Sequence, residues 1–240
     1  MRTAVFDTAA EVARAAADLV LEAARRDRAV FALPTGRTAV PLYDELAVRH
    51  QRGEDALSRV SGFNLDELVL PRDDPRTFRA YMQQHAWGRT GLARERCDIP
   101  DGAARDLQAE CRRYEDAIAA AGGLDLALLG VGADGHVAYN MPGPVTLPTH
   151  LTRLPDGLAA SLGVPHEDWP LRAITMGIGT IRSARALLVM ATGEAKATAV
   201  RALVKGPEDP EWPCSFLSRH PEIEVLLDRA AASALRVGSP

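Results

Sequence analysis

Short apolar segments alternate with amphipathic helical segments along this chain, and this alternation constrains its fold more than any other feature. Residues 29–33 are apolar throughout and stop at Pro34, while residues 124–129 are largely apolar and stop at Gly130. Such runs are typical of strands that are buried on both faces of a sheet. Helical segments between them predict an α/β fold, with a largely parallel central sheet and helices on both faces.

The same reading predicts the remaining elements. Thr8 and Glu11 have the spacing of a capping box, which predicts that a helix begins there. Further strands are predicted at residues 60–65, 173–176, 186–190 and 223–227, and further helices at residues 39–50, 77–87, 107–121, 196–204 and 228–235. We expect one domain over residues 1–240. Its stretch near residues 142–170 is rich in Pro and Gly, which fits a lid over a site or a solvated loop.

Charge and cysteine content narrow the classes of partner. Lys and Arg number 28 against 32 Asp and Glu, so the formal charge of −4 gives no reason to expect nucleic acid or an anionic membrane. The three cysteines lack metal-ligand spacing, and their odd number argues against a disulfide framework. No apolar run approaches the length of a membrane span. We therefore expect a cytoplasmic protein that binds no metal.

The first predicted strand end carries a candidate anion-binding turn. Thr35, Gly36, Arg37 and Thr38 connect the strand to a helix. Backbone N–H groups at such a turn can face an anion, assisted by the helix dipole, the two hydroxyl groups and the guanidinium. A single glycine between a strand and a helix is also typical of a plain turn.

The second predicted strand end carries two adjacent carboxylates, Asp66 and Glu67. One carboxylate at a strand end can act as a general base while its neighbour orients it. The alternative is that one of them caps the next segment or pairs with Arg72 or Arg76.

The third predicted strand end combines glycines with an acid–base pair. Gly130, Gly132 and Gly135 allow close approach of the backbone to a ligand, and Asp134 precedes His136 by two residues. A carboxylate that orients an imidazole suits proton transfer to or from a sugar oxygen. A tight turn with a surface histidine is the alternative, and zinc would require more His or Cys at ligand spacing.

Lys196 is predicted at the start of a helix, where its charge opposes the helix dipole. That position is unfavourable for a cation unless an anion lies beside it. A surface lysine is the alternative, but together with the first turn Lys196 would complete an anion-binding cluster.

These segments, in this order, resemble the glucosamine-6-phosphate deaminase family, which is related to the 6-phosphogluconolactonases. The matching segments are LPTGRT, FNLDELVLPRDDPRTFRAYM, YEDAIAAAGGLDLALLGVGADGHVAYNMPG, ITMGIGTI, TGEAK and PCSFLSRH. They extend from about residue 33 to residue 220. Lactonases typically continue differently after the DGH triplet and lack the FN-x-DE pattern, so the chain is more similar to the deaminases.

The resemblance implies a Rossmann-like three-layer fold and a reaction that converts an aminosugar phosphate into a ketose phosphate and ammonia, without cofactor or metal. It implies that Asp66 moves the C2 proton to C1, and that His136, oriented by Asp134, opens the sugar ring. It assigns the phosphate to Gly36, Thr38 and Lys196, with Arg37 and Arg172 as helpers. Our predicted substrate-binding set also includes, from the turns themselves, Thr35, Glu67 and Gly135.

Two departures from the family pattern limit this reading. The family usually has Asn-Glu-Pro-Gly where this chain has Asn140-Met141-Pro142-Gly143, so the glutamate of the ring-opening group is replaced by Met141. We therefore expect that ring opening is slower, is assisted by another acid, or acts on a different substrate. Residues 144–153 lack the Ser and Arg pattern that binds the allosteric effector in hexameric relatives. This predicts no effector activation and makes a hexamer doubtful, leaving a monomer or another homo-oligomer.

Several functions stay open at this stage. Glucosamine-6-phosphate is the default substrate, and galactosamine-6-phosphate is an alternative. A 6-phosphogluconolactonase-type hydrolase would use His136 to activate water and would not need Asp66. A third reading is a sugar-phosphate-binding protein whose catalysis is weakened by Met141.

Overall fold

A computed structural model describes residues 1–166 and 169–235 of the chain, and its strands form two sheets. In chain order the strands are β1 (Arg2–Phe6), β2 (Val30–Leu33), β3 (Ser61–Asn64), β4 (Asp66–Leu68), β5 (Cys97–Asp98), β6 (Leu126–Gly130), β7 (His150–Arg153), β8 (Arg172–Thr175), β9 (Ala186–Ala191) and β10 (Ile223–Asp228). The larger sheet has seven strands in the order β1-β10-β9-β6-β2-β3-β5. Every neighbouring pair in it is parallel, which confirms the predicted parallel sheet.

Helices cover both faces of the larger sheet. They are α1 (Ala9–Ala24), α2 (Val40–Gln51), α3 (Phe78–His85), α4 (Leu107–Ala120), α5 (Asp156–Ser161), α6 (Ile178–Arg182) and α7 (Ala197–Lys205). The predicted capping box is present at the start of α1, where Thr8 Oγ1 accepts from the Glu11 N–H and Glu11 accepts from the Thr8 N–H. It satisfies N–H groups that the first helical turn leaves unpaired.

Alternate residues of each strand divide the interior into two apolar cores. In β2, Phe31 and Leu33 pack with α1, α2 and α3 on one face, and Val30 and Ala32 pack with α4, α6 and α7 on the other. Because side chains alternate along a strand, a strand that is apolar throughout needs a core on each side. The three-layer α/β architecture predicted from the sequence is confirmed.

A second, three-stranded sheet in the order β4-β8-β7 was not foreseen. Both of its pairings are antiparallel, with Asp66 of β4 opposite Thr175 of β8, and His150 of β7 opposite the same Thr175. The predicted strand at residues 60–65 is therefore β3, and the chain passes from the large sheet to the small one at Leu65. Asp66 begins a new strand rather than ending the previous one.

The prediction of a helix over residues 228–235 is wrong. Strand β10 continues to Asp228, and the described helical structure beyond it is a single 3₁₀ turn at Ser233–Leu235. The Asp228 carboxylate accepts from the N–H groups of Gly193 and Ala231. Local bonding of this kind competes with a regular helix.

The predicted lid near residues 142–170 is partly built into the fold. Strand β7 pairs with β8 over its whole length, and α5 follows it with Ala159 buried in the core. Residues 167 and 168 of this stretch lie outside the described residues. A lid function stays a prediction, and so does the single-domain boundary.

Candidate active site

The candidate site lies where the order of the parallel strands reverses. From β2 the chain proceeds to β3 and β5 on one side, and then returns to β6, β9 and β10 on the other. The carboxyl ends of the neighbours β2 and β6 therefore flank a crevice, which is where ligands bind in open α/β sheets. The turn at residues 34–38 leaves β2 at this crevice, and the turn at residues 131–136 leaves β6. A Cβ atom placed on Gly130, the last residue of β6, would lie 3.7 Å from the Cβ of Thr38, so the turn after β2 lies beside the carboxyl end of β6.

The turn after β2 presents unpaired backbone donors. Gly36 has a φ of +90°, a conformation that glycine adopts without steric cost. The Ala39 N–H donates to the Gly36 carbonyl, whereas the N–H groups of residues 35–38 have no acceptor within the described part of the chain. Consecutive free N–H groups before a helix favour an anion. The structure thus brings Thr35, Gly36, Arg37 and Thr38 together as predicted.

Asp66 lies on the floor of the crevice with 5% of its surface exposed. Thr35 Oγ1 donates to its Oδ1 at 3.3 Å, which ties the carboxylate to the turn after β2. Burial raises the pKa of Asp66 from 3.8 to about 7, the negative charge of Glu67 adds to the rise, and the Thr35 hydrogen bond opposes it. A carboxylate with this pKa exists in both forms near neutrality, as a general base should.

Glu67 caps the start of helix α3, which was the alternative to a catalytic role for one of the two adjacent carboxylates. Its Oε1 accepts from the N–H of Phe78 at 2.7 Å, and its Oε2 accepts from the N–H of Arg79 at 2.9 Å. Burial raises the pKa of Glu67, while these backbone hydrogen bonds oppose the rise. Both oxygens face the first turn of α3, so Glu67 fixes this helix next to Asp66. The structure gives it no free oxygen directed at a ligand.

The turn after β6 holds Asp134 and His136 side by side. Asp134 Oδ1 lies 2.7 Å from His136 Nδ1. Burial raises the pKa of Asp134, but the hydrogen bond and the charge of His136 outweigh burial and leave it below its ordinary value. A Cβ atom on Gly132 would lie 2.3 Å from His136 Nδ1, so only glycine leaves room for the pair.

Gly135 is required at this turn for a separate reason. It has a φ of +85°, and a Cβ atom there would lie 2.8 Å from the ring of Trp212. Trp212 thus packs behind the turn, and the N–H of Cys214 donates to the Gly135 carbonyl at 2.8 Å. Neither Trp212 nor Cys214 was expected near the site, since no sequence signal links residues so far apart in the chain.

Lys196 adds a second positive charge beside Arg37, although the chain as a whole has a negative net charge. It is half-buried, and burial lowers the pKa of its ammonium group. The charge of Arg37 lowers this pKa further, whereas the charge of Asp134 raises it. Lys196 therefore lies within electrostatic reach of both turns. Two cations held together, one of them partly desolvated, favour an anion between them.

Tyr139, which is not among the predicted site residues, links the two acid–base groups. Its ring centroid lies 6.4 Å from that of His136, and its pKa is raised by burial and by the charge of Asp66. The N–H of Tyr139 donates to Thr175 Oγ1 at 3.0 Å, and Thr175 is the cross-strand partner of Asp66. The small sheet therefore holds Asp66 and the His136 turn around the same space.

Arg172 was predicted to assist in phosphate binding, but no described contact of Arg172 involves Arg37, Lys196 or the turn after β2. It is exposed and stands opposite Arg153, at the other end of β8 from Thr175. Three residues along a strand correspond to about 10 Å and to the opposite face of the sheet. No described contact links it to the anion-binding turn.

Met141 lies where the resemblance implies a carboxylate. It packs against the core that contains α1, α2 and α3, and it lines a cavity of about 310 Å³ together with Tyr139 and His150. Burial lowers the pKa of His150, and the Pro148 carbonyl opposes this at 3.0 Å from Nδ1. The thioether of Met141 is uncharged and cannot act as an acid or a base.

This arrangement can bind an anion at one end and move protons at the other. Within residues 1–166 and 169–235, no group of three or more His, Cys, Asp or Glu side chains could hold a metal ion. Across the same residues, no helix combines the length and apolar character needed to cross a bilayer.

Comparisons with known proteins match almost the whole chain. The family model described as glucosamine-6-phosphate isomerases/6-phosphogluconolactonase matches residues 4–226. A glucosamine-6-phosphate deaminase of Pseudarthrobacter chlorophenolicus is 42% identical over 243 residues, covering 99% of this chain and 93% of the relative. The enzyme of the same name from Rhodopirellula baltica is 42% identical over 228 residues, covering 93% and 91%.

Solved structures agree with the sequence comparisons. The structure of a monomeric glucosamine-6-phosphate deaminase superposes with a TM-score of 0.91 at 34% identity, covering 98% of this chain and all of that one. A 6-phosphogluconolactonase from Trypanosoma cruzi superposes with a TM-score of 0.80 at 19% identity, covering 98% and 97%. At that identity the second similarity concerns the fold alone.

Proposed function

This chain belongs to the glucosamine-6-phosphate isomerase/6-phosphogluconolactonase family, and on that premise we propose that it is an aminosugar-6-phosphate deaminase. Its default substrate is glucosamine-6-phosphate, which it converts with water into a ketose-6-phosphate and ammonia. Its relatives at about 40% identity carry this activity in their names.

The observation that carries the proposal is the state of Asp66. It is a buried carboxylate whose pKa is raised to about 7, and it is hydrogen-bonded through Thr35 to the anion-binding turn. Aldose–ketose isomerisation needs a base that removes a proton from one carbon and returns it to the next. Lactone hydrolysis needs an activated water and has no proton on carbon to move, so the position of Asp66 favours the deaminase.

The substrate is positioned by its phosphate. The N–H groups of residues 35–38, with Lys196 and Arg37, bind the phosphate and place the sugar across the crevice. Binding energy from this remote group orients the reacting carbons against the acid–base side chains.

The proton transfers divide between the two turns. His136, oriented by Asp134, moves a proton from the anomeric hydroxyl to the ring oxygen, so that the C1–O5 bond breaks and the aldehyde forms. Asp66 then takes the proton from C2 of the open chain and returns it to C1. As C1 is protonated, its aldehyde oxygen gains a proton and the C2 amino group loses one, so that C1 becomes a primary alcohol and C2 an imine. Water then adds to this imine and releases ammonia, which leaves the C2 ketone.

We also propose that the enzyme is a monomer and is located in the cytoplasm. A monomer is supported by the monomeric relative at 34% identity and by the absence of the effector-binding pattern from residues 144–153. The cytoplasm is supported by Cys97, Cys111 and Cys214, which are buried and free. We expect no effector activation, so N-acetylglucosamine-6-phosphate should leave a hyperbolic substrate curve unchanged.

The decisive experiment measures ammonia release from a panel of aminosugar phosphates, run beside hydrolysis of 6-phosphogluconolactone. We expect ammonia from glucosamine-6-phosphate, and comparison with galactosamine-6-phosphate gives the epimer preference. Lactone hydrolysis without ammonia would overturn the proposal in favour of the lactonase. Binding of the sugar phosphates without any turnover would show a protein that has lost catalysis.

A further inference from the structure

The hydroxyl of Tyr81 reaches the anion-binding turn from helix α3, although Tyr81 is not among the predicted site residues. It donates to the Gly36 carbonyl at 2.9 Å. Its ring makes an edge contact with Tyr43, at a centroid distance of 6.4 Å, and it lies against His85 on its other side. Burial and the charge of Asp44 raise the pKa of Tyr81, so it stays protonated and able to donate at neutral pH.

This contact fixes the orientation of one peptide unit in the turn. The Gly36 carbonyl accepts from Tyr81 Oη and also from the Ala39 N–H at 3.1 Å. In a trans peptide the carbonyl and the following N–H point in opposite directions. The two donors at Gly36 therefore direct the Arg37 N–H away from α3, and that N–H has no acceptor among the described residues.

Tyr43 acts in the same way on the Pro34–Thr35 peptide at the start of the turn. Its hydroxyl donates to the Pro34 carbonyl at 2.8 Å and is fully buried. The Thr35 N–H, which belongs to the same peptide unit as the Pro34 carbonyl, therefore points away from the Tyr43 hydroxyl. Two tyrosine hydroxyl groups thus hold the turn through its carbonyl oxygens and leave its N–H groups free.

Tyr81 is itself held in place by the residue next to the base. Glu67 accepts from the N–H groups of Phe78 and Arg79 in the first turn of α3, and Tyr81 follows Phe78 by three residues. One helical turn therefore connects the strand that carries Asp66 to the turn that carries Gly36.

We infer that Tyr81 is a positioning residue for phosphate, because its hydroxyl orients the Gly36–Arg37 peptide so that the Arg37 N–H faces the bound anion. The inference deepens the proposed function, since it rests on the substrate being a sugar phosphate.

The test is Tyr81→Phe, measured by calorimetric titration with inorganic phosphate and by steady-state kinetics. Loss of one orienting hydrogen bond should weaken phosphate binding by about 3- to 10-fold. The KM for the aminosugar phosphate should rise by the same factor, and kcat should change by less than about twofold, because the side chain touches no reacting atom.

Tyr114→Phe is the matched control. It removes another tyrosine hydroxyl, one that donates to the Asn64 carbonyl at 2.7 Å inside the core. This variant should lower the melting temperature without changing the phosphate Kd. If both variants weaken phosphate binding equally, or if Tyr81→Phe leaves the Kd unchanged, the inference is overturned.

The two proposals fail in different ways. A wild-type protein that binds phosphate but releases no ammonia contradicts the proposed function, and the titration of Tyr81→Phe still decides the inference. A wild-type protein that releases ammonia, with a Tyr81→Phe variant of the same Kd and KM, contradicts the inference alone.

Discussion

Asp66 and Asp134 lie in one crevice, yet their surroundings shift their acidities in opposite directions. Asp66 is 5% exposed, and burial together with the negative charge of Glu67 raises its pKa to about 7. The side chain of Asp134 is 46% exposed and lies 2.7 Å from His136, and its pKa is lowered because the imidazole outweighs burial. Asp66 is thus suited to exchange a proton near neutral pH, whereas Asp134 is suited to stay ionised.

Because the two side chains are chemically identical, the difference in their pKa values comes from their surroundings alone. A group whose pKa is near neutrality can take a proton and give it back, while a permanently ionised one can orient and stabilise an imidazole.

The largest effect is expected from Asp66→Asn. The amide keeps an oxygen for the Thr35 hydrogen bond but cannot accept a proton, so ammonia release should fall by about a thousandfold or more. Phosphate binding should be retained, because the turn is unchanged. Ammonia assays and phosphate titration measure the two quantities. A variant that keeps more than a tenth of the wild-type rate would exclude Asp66 as the base.

A smaller loss is expected from Asp134→Asn. His136 stays in place but loses the charge that orients it and supports its proton, so kcat should fall by about 10- to 100-fold. The loss should be smaller still if an open-chain substrate analogue bypasses ring opening. Comparing cyclic and open-chain substrates measures this, and equal losses on both would show that the pair acts at a later step.

The two asparagine variants should also differ in stability. The pKa of Asp66 is higher in the folded state than its ordinary value of 3.8, so folding holds an extra proton between about pH 4 and 7. Stability therefore falls as the pH rises through that window and stays reduced above it. At pH 8, Asp66→Asn should be more stable than wild type by up to about 4 kcal/mol, with no gain at pH 4.

Asp134→Asn should show no such gain. Its folded pKa is lowered, so the ionised carboxylate contributes stability above its unfolded pKa and loses it as the pH falls. Thermal unfolding from pH 4 to 8 measures both variants. A stabilised Asp134→Asn at pH 8, or an unchanged Asp66→Asn, would contradict the assigned electrostatics.

The smallest effect is expected from Met141→Glu. A carboxylate there would support the proton on His136, so turnover of the cyclic substrate should rise by about threefold, while turnover of an open-chain analogue stays constant. Met141→Gln is the uncharged control of nearly the same size. Unchanged activity on both substrates would show that Met141 does not limit ring opening.

The elements that carry the site were largely foreseen from local patterns. The predicted helix over residues 107–121 is α4 (Leu107–Ala120), and the predicted strand at residues 186–190 is β9 (Ala186–Ala191). Strand β1 and the short β7 were missed, because five or fewer residues without clear periodicity carry a weak signal. The antiparallel sheet was missed for another reason, since pairing depends on segments that are distant in the chain.

Local sequence patterns were sufficient to predict the layered α/β fold and the turns that carry Thr35, Gly36, Thr38, Asp134 and His136, because apolar periodicity and glycine placement act over a few residues. The surroundings of the site residues depend instead on contacts between distant segments. The tertiary structure separated Asp66 from Glu67, buried the first and gave the second to the start of α3. It also brought Tyr81 to Gly36 and left Arg172 at the far end of its strand. Burial and long-range contact have no local signature, and these set the pKa of Asp66 and the orientation of the anion-binding turn.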